Sequence, residues 1–272
     1  MTDTTAPSDT LDTLFARDGD LLVPTGHTRG PWHPDQQHGG APAALLAQAA
    51  ATAGDGARDM VVARLTYEFL GPVPIAPVRV TAEVVKPGRR FQLVAGELSD
   101  ADGRVLMRVR AVRLRRGEVA VPPAARAEPG NPHGSTPETA APLPSIVEGE
   151  WYGRTGNEVR FAAGSYAEPG PGRAWFRLRV PLIGDEAPLP VARAASAADF
   201  GNGISNVLGF DTHLFVNTDL TVHLLREPVG EWILLDSRTE VDAAGVGLAS
   251  SRLYDARGPI GISAQTLFVA ER

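Results

Sequence analysis

Asp199 closes an Ala-rich run, Val191 to Phe200, whose composition is that of a helix buried on most sides. A carboxylate in such a place is costly unless it is hydrogen-bonded, and buried carboxylates recur as bases at functional sites. A second group of chemical interest is His38-Gly39-Gly40. Two glycines at a helix entry leave backbone N–H groups free, and with the helix dipole these suit an oxyanion or a polarised carbonyl oxygen. The same glycines would also let a helix pass close to a strand. His38 is a candidate donor to that oxygen or a packed loop residue. His33, Asp35 and His38 invite a metal reading, but Pro34 and the short spacing oppose it, and no metal is expected. Gly201-Asn202-Gly203 follows no strand and reads as a helix stop rather than a dinucleotide loop. The chain has no Gly-x-Ser-x-Gly elbow, and its lack of cysteine excludes thiolate nucleophiles, thiolate metal sites and disulfides.

These residues need elements to position them. Ala41 to Ala53 is Ala, Leu and Gln for the most part, with Pro42 in a first turn where its missing N–H costs nothing, and it reads as a buried helix. Four strands are expected after it: Val61 to Leu70, Val78 to Val85, Phe91 to Ser99 and Val105 to Leu114. The last alternates apolar residues with arginines, as a strand with one wet face does. After the second helix, strands are expected near Leu214 to Leu225, Trp232 to Val241, Gly247 to Leu253 and Ile260 to Val269. Between the halves, residues 117 to 150 are rich in Pro, Ala, Gly and Glu and read as a linker, broken by Pro122-Pro123, Pro129, Pro132, Pro142 and Pro144.

The chain is written twice. Leu65-Thr66, Asp100-Ala101 and Gly103 recur as Leu220-Thr221, Asp255-Ala256 and Gly258, each 155 residues later (220 − 65 = 155; 255 − 100 = 155). A fixed offset marks two copies of one unit, one helix followed by an antiparallel meander, an α+β pattern. A sheet that curls around each apolar helix would bury it.

A net charge of −6 argues against a nucleic-acid surface. The polar start, Met1 to Asp12, does not read as a signal peptide, and no run approaches the length of a membrane span. The expectation is a cytoplasmic protein.

A buried helix wrapped by a long antiparallel sheet, given twice, is a double hotdog, and here the chain resembles the bacterial type II (TesB-like) acyl-CoA thioesterases. The resemblance rests on Gln37-His38-Gly39-Gly40-Ala41, on Asn217-Thr218-Asp219 through Arg226 and Pro228 to Glu231-Trp232, and on Ser263-Ala264-Gln265. It covers most of residues 20 to 115 and 170 to 272. It implies an N-terminal hotdog over 1–116, the linker over 117–150 and a C-terminal hotdog over 151–272. It also implies hydrolysis of an acyl-CoA or acyl-carrier thioester without a cofactor, by an Asp, a Thr or Ser and a Gln that orient and activate water. Carried onto this chain, the Asp is Asp199 and the Gln is Gln265. The hydroxyl position is Asn217, with Thr218 beside it, a departure from the pattern that a bulge would be needed to repair. His38, Gly39 and Gly40 would contact the substrate, and Arg89-Arg90, Arg115-Arg116 and Arg226 are candidates for the phosphates of coenzyme A.

Subtracting 155 from the three catalytic candidates gives Ala44, Val62 and Arg110, so the first copy lacks the polar set. A homodimer or higher oligomer is also implied. Two other readings stay open: an acyl-thioester-binding protein without chemistry, motivated by Asn217, and a hotdog hydratase or dehydratase, whose Asp-x-Asn-Pro-x-His motif the sequence lacks.

Overall fold

The computed structural model describes residues 12–126, 130–134, 136 and 149–272. Pro129, Pro142, Pro144 and residues 1–11 of the N-terminal reading lie outside the described residues. The first half runs β1 (Phe15–Asp18), β2 (Leu21–Pro24), α1 (Gly40–Thr52), β3 (Met60–Phe69), β4 (Val78–Lys86), β5 (Phe91–Asp100) and β6 (Val105–Arg115). The second runs β7 (Asn157–Ala163), β8 (Gly172–Leu178), α2 (Pro190–Ala198), α3 (Gly201–Ile204), β9 (His213–Asn217), β10 (Asp219–Leu224), β11 (Ile233–Asp242), β12 (Val246–Asp255) and β13 (Gly258–Glu271). They form one antiparallel sheet in the order β1-β2-β4-β5-β6-β3-β10-β13-β12-β11-β8-β7, with β9 paired to β13. This is the double hotdog: α1 is buried along most of its length against α2 and the inner faces of β4, β5 and β6.

The two halves meet where β3 pairs with β10, and Thr66 lies opposite Thr221. That pair is separated by the repeat offset (221 − 66 = 155), so the sequence repeat and the local two-fold of the sheet are one feature. The turns that revealed the repeat sit at equivalent places, between β5 and β6 and between β12 and β13.

The structure departs from the sequence reading at three points. The expected strand Leu214 to Leu225 is two strands, broken at Thr218. Four residues separate Asn217 from Thr221, but only three separate their partners Leu267 and Ala264, which makes Thr218 a bulge. The first copy has the same irregularity at the equivalent place, 155 residues earlier, where Ala63 is skipped between Val62 and Arg64. Second, α2 ends at Ala198, Asp199 caps it, and the chain re-enters a short helical turn, α3. Third, β1, β2, β7 and β8 were missed: β1 and β2 are too short for a clear period, and β7 and β8 follow a Pro-rich stretch.

Arg113 belongs to the arginine-bearing strand β6, yet it is fully buried. Its guanidinium donates to the carbonyls of Ala50, Ala51 and Ala53, at 3.4, 3.2 and 2.9 Å, and to Gln92 Oε1. It therefore caps the C-terminus of α1, which has no basic residue of its own in the last turn.

Asp255, also fully buried, plays the matching role at the β12–β13 turn. Arg226 forks onto its two carboxylate oxygens at 2.6 Å each, and the N–H groups of Val229 and Arg257 donate to it at 2.8 Å. Burial pushes its pKa up, but the Arg226 bonds and the two backbone donors outweigh that and hold it below the ordinary carboxylate value. A folded-state pKa below the unfolded one adds stability that is complete above about pH 4 and drains away as pH falls through the folded value. Asp255→Asn is expected to cost about 2–3 kcal/mol at pH 7 and less at pH 3. Thermal melts of both chains at the two pH values check this.

Candidate active site

Three elements deliver the polar group. Asp199 caps α2, Asn217 ends β9 just before the bulge, and Gln265 points inward from β13. Asn217 Nδ2 donates to Asp199 Oδ1 at 2.8 Å, and Gln265 Nε2 reaches the same oxygen at 3.3 Å. Gln265 Oε1 accepts the N–H of Asn202 at 3.0 Å, so the amide is held at both ends. Asp199 itself is 7% exposed.

The other carboxylate oxygen has a different partner. His38 Nδ1 lies 2.9 Å from Asp199 Oδ2. The imidazole is held between aromatic faces, stacked on Phe200 with centroids 4.4 Å apart and tilted against Tyr152 at 5.0 Å. Tyr152 is fixed in turn by its hydroxyl, 2.6 Å from Ser196 Oγ. Burial, with the nearby charge of Asp199, keeps the phenols of Tyr67 and Tyr152 above their ordinary pKa; Tyr67 stays neutral and donates to Ala43 O in the first turns of α1.

Gly39 and Gly40 have a steric reason as well as the chemical one. A Cβ on Gly39 would sit 2.7 Å from Phe69 Cε1 and 2.9 Å from Asp199 Oδ2. A Cβ on Gly40 would meet Ser196 O at 2.7 Å. These distances fit the close-approach reading of the pair, and the same turn brings the N-terminus of α1 to the carboxylate. The N–H of Gly40 is directed at His38 Nδ1 at 3.1 Å, and that of Gly39 finds no acceptor among the described residues. Because Asp199 is locked by three side chains, it cannot yield to a new methyl group. Gly39→Ala is expected to lower kcat/KM about 10- to 100-fold through misplacement of the carboxylate, with a stopped-flow or steady-state assay as the check.

Thr218, the alternative hydroxyl, is exposed, and its Oγ1 bonds Thr266 O at 3.4 Å; it makes no bond to Asp199. The bulge that it occupies aims Asn217, rather than Thr218, at the carboxylate. His33 Nδ1 accepts the N–H of Asp35 at 3.2 Å and His38 is engaged with Asp199, and among the described residues no group of three His, Asp or Glu side chains could hold a metal ion. Of the arginine candidates, Arg226 is tied to Asp255 and Arg116 to Glu227.

The first-copy counterparts can now be read from the structure. Thr221 pairs with Ala264 as Thr66 pairs with Arg110, so Ala264 corresponds to Arg110 and Gln265 to Ala111, one residue from the position that simple subtraction gives. Asn217 does correspond to Val62. The counterpart of Asp199 by contact is Gln48, not Ala44: its Oε1 accepts Leu189 N at 3.0 Å at the start of α2, as Asp199 faces Gly39 at the start of α1. The first half thus presents Gln48, Val62 and Ala111, and holds no carboxylate at this place.

The Asp199 end of the group borders a cavity of about 510 Å³ lined by His38, Gly39, Asp199, Asn217 and Thr218 and otherwise mostly by aromatic and aliphatic side chains. Trp32, Phe210 and Phe215 form one wall, with ring centroids 4.9 to 5.6 Å apart. The sequence reading missed this wall and the aromatic clamp on His38. The aromatic residues are in view in the chain, but no periodicity links Tyr152, Phe200 and His38. Gly201 was read only as a helix stop; a Cβ there would lie 2.8 Å from Ser251 Oγ and 3.0 Å from Gln265 Oε1.

Comparison with known proteins agrees with this fold. Residues 28–114 match the acyl-CoA thioesterase N-terminal domain and residues 125–269 the acyl-CoA thioesterase C-terminal domain. No curated protein matches the chain. Among solved structures, a protein of unknown function with a hot dog fold from Alicyclobacillus acidocaldarius superposes with a TM-score of 0.69 at 19% identity, covering 96% of this chain and 97% of that one. The acyl-CoA thioesterase II TesB2 of Mycobacterium marinum gives 0.62 at 16% identity, with 87% and 90% covered. The tesB protein of Mycobacterium avium gives 0.62 at 18%, with 94% and 95% covered. With both halves matched in order over most of its length, the chain belongs to the acyl-CoA thioesterase family and is a thioester hydrolase.

Proposed function

We propose that the protein hydrolyses an acyl-CoA or acyl-carrier thioester by direct attack of water at the Asp199 set. The supporting observation is the convergence of Asn217 and Gln265 on one carboxylate beside the N-terminus of α1, at the wall of an apolar cavity. The aromatic and aliphatic lining suits an acyl group. A thioester carbonyl near Gly39 would meet an N–H that has no acceptor among the described residues and the positive end of the α1 dipole, where oxyanion charge develops. Asp199 anchors the water-activating set. Asn217 fills the hydroxyl position through its amide, of which one N–H is committed to Asp199 and the other is available for water.

A panel of acyl-CoAs of varied chain length and branching, followed by free-thiol release, tests the reading. Turnover of some members is expected. Tight binding of a non-hydrolysable analogue with no thiol released from any parent thioester would instead favour the binding-only alternative that Asn217 motivates. A hydroxyacyl product from an enoyl thioester would point to hydration.

The protein is proposed to work as a homodimer or higher oligomer in the cytoplasm. An apolar patch at one end of the outer face of β12 and β13, with Val246, Leu248 and Phe268 each about half exposed, supports association. Sedimentation of the full chain at the mass of a monomer across micromolar concentrations would contradict it. No described helix is long and apolar enough to cross a membrane.

A further inference from the structure

We infer that the proton acceptor is His38, with Asp199 as the carboxylate that positions it, so that an Asp–His pair drives the water attack proposed above. The reasoning starts at the 2.9 Å contact between His38 Nδ1 and Asp199 Oδ2. At that distance a proton on Nδ1 would join the ring to the carboxylate. Asp199 is almost fully enclosed, and its Oδ1 is satisfied by two neutral amides, so a charge-assisted bond from Nδ1–H to Oδ2 is its remaining source of compensation. The N–H of Gly40 also points at Nδ1, at 3.1 Å, and a proton on Nδ1 would displace that bond in favour of the one to the charged oxygen.

With the proton on Nδ1, the lone pair of the ring lies on Nε2. That atom has no hydrogen-bond partner among the described residues, and it is not one of the buried unpartnered atoms, so it remains accessible on a residue that lines the cavity. The ring is pre-set for the role. Stacking on Phe200 and against Tyr152 fixes its plane, and the carboxylate fixes its tautomer.

The step balances with water alone. Water oxygen bonds to the thioester carbon, its proton passes to Nε2, and the carbonyl electron pair moves to the oxygen held near Gly39. Collapse re-forms the carbonyl, breaks the C–S bond and returns the proton from the imidazolium to the departing thiolate. The products are a carboxylic acid and a free thiol. The other ionisable groups around the ring are the Tyr152 phenol, the Tyr67 phenol beyond Asp199 and His33 in the same cavity wall. Both phenols are held above their ordinary pKa and stay neutral here.

The inference rests on the thioesterase reading, and the experiment separates the two. In the wild-type chain, long-range ¹H–¹⁵N NMR should show His38 as the Nδ1–H tautomer, which requires no variant to fold. His38→Gln should lower kcat/KM by about 10²- to 10⁴-fold and change the shape of its pH profile. His38→Ala opens a slot between Phe200 and Tyr152, and added imidazole should restore part of its rate. Combined with Asp199→Asn, the two losses should fall well short of multiplying, as for groups that act as one unit. An Nε2–H tautomer, or a His38→Gln chain that keeps its rate and pH profile while Asp199→Asn is inactive, overturns the inference and leaves the thioesterase reading standing. Absence of thiol release from every thioester in the wild-type chain removes both.

Discussion

Replacing Asp199 by Asn is expected to lower kcat/KM for acyl-CoA hydrolysis by about 10²- to 10⁴-fold while the chain still folds. The substitution keeps the size and shape of the side chain but removes the charge that three neighbours are arranged around. Asn217 and Gln265 both present amide N–H groups to Oδ1, and His38 Nδ1 faces Oδ2. An amide at position 199 can offer one oxygen, so one of those donors must lose its acceptor, and the orientation of the imidazole loses its anchor. Melting temperature should change little, because burial of a carboxylate is itself costly and the amide is cheaper to enclose. Circular dichroism and a thiol-release assay on the same preparation check the two halves of the expectation.

The second large effect concerns stability. Arg113→Met is expected to destabilise the fold by about 3–5 kcal/mol. Methionine fills much of the same volume, so the loss is polar rather than steric. The carbonyls of Ala50, Ala51 and Ala53 and the Gln92 side chain would all lose this donor. Burial lowers the pKa of the guanidinium, but an arginine remains protonated throughout the ordinary pH range, so the four bonds stay charge-assisted. Arg110→Met, on the same strand but on the wet face, should change stability by less than about 0.5 kcal/mol. Denaturant titration of the two variants makes the comparison.

Arg113 also shows what was legible in the sequence. Counting by twos along β6 puts Met107, Val109, Ala111 and Arg113 on one face and Arg108 and Arg110 on the other. The alternation was in view, and the inward parity of Arg113 with it; its partners were not, because the three carbonyls lie at the end of a helix 60 to 63 residues earlier and Gln92 lies on the neighbouring strand. The same division holds elsewhere. The 155-residue offset was readable from Leu65-Thr66 and Leu220-Thr221, and it located the pair about which the halves are related. The offset breaks locally wherever one copy has an extra residue, and so plain subtraction missed Ala111 and Gln48. Asp199, Asn217 and Gln265 could be named from the family resemblance. That Asn217 is the member that reaches Asp199 depends on the bulge at Thr218, and a bulge leaves no mark on apolar periodicity. The contact between His38 and Asp199 joins residues 161 positions apart (199 − 38 = 161), and only the crossing of α1 and α2 brings them together.

The duplication therefore carries a chemical asymmetry: one helix entry faces a carboxylate, while its counterpart faces the Gln48 amide. Thiol release from an acyl-CoA that the wild-type chain turns over, measured side by side for Asp199→Ala and Gln48→Ala, tests this most directly. Loss of about 10²-fold or more for the first, with near wild-type kcat/KM for the second, is the predicted result. Equal losses, or full activity in the Asp199→Ala chain, would contradict it.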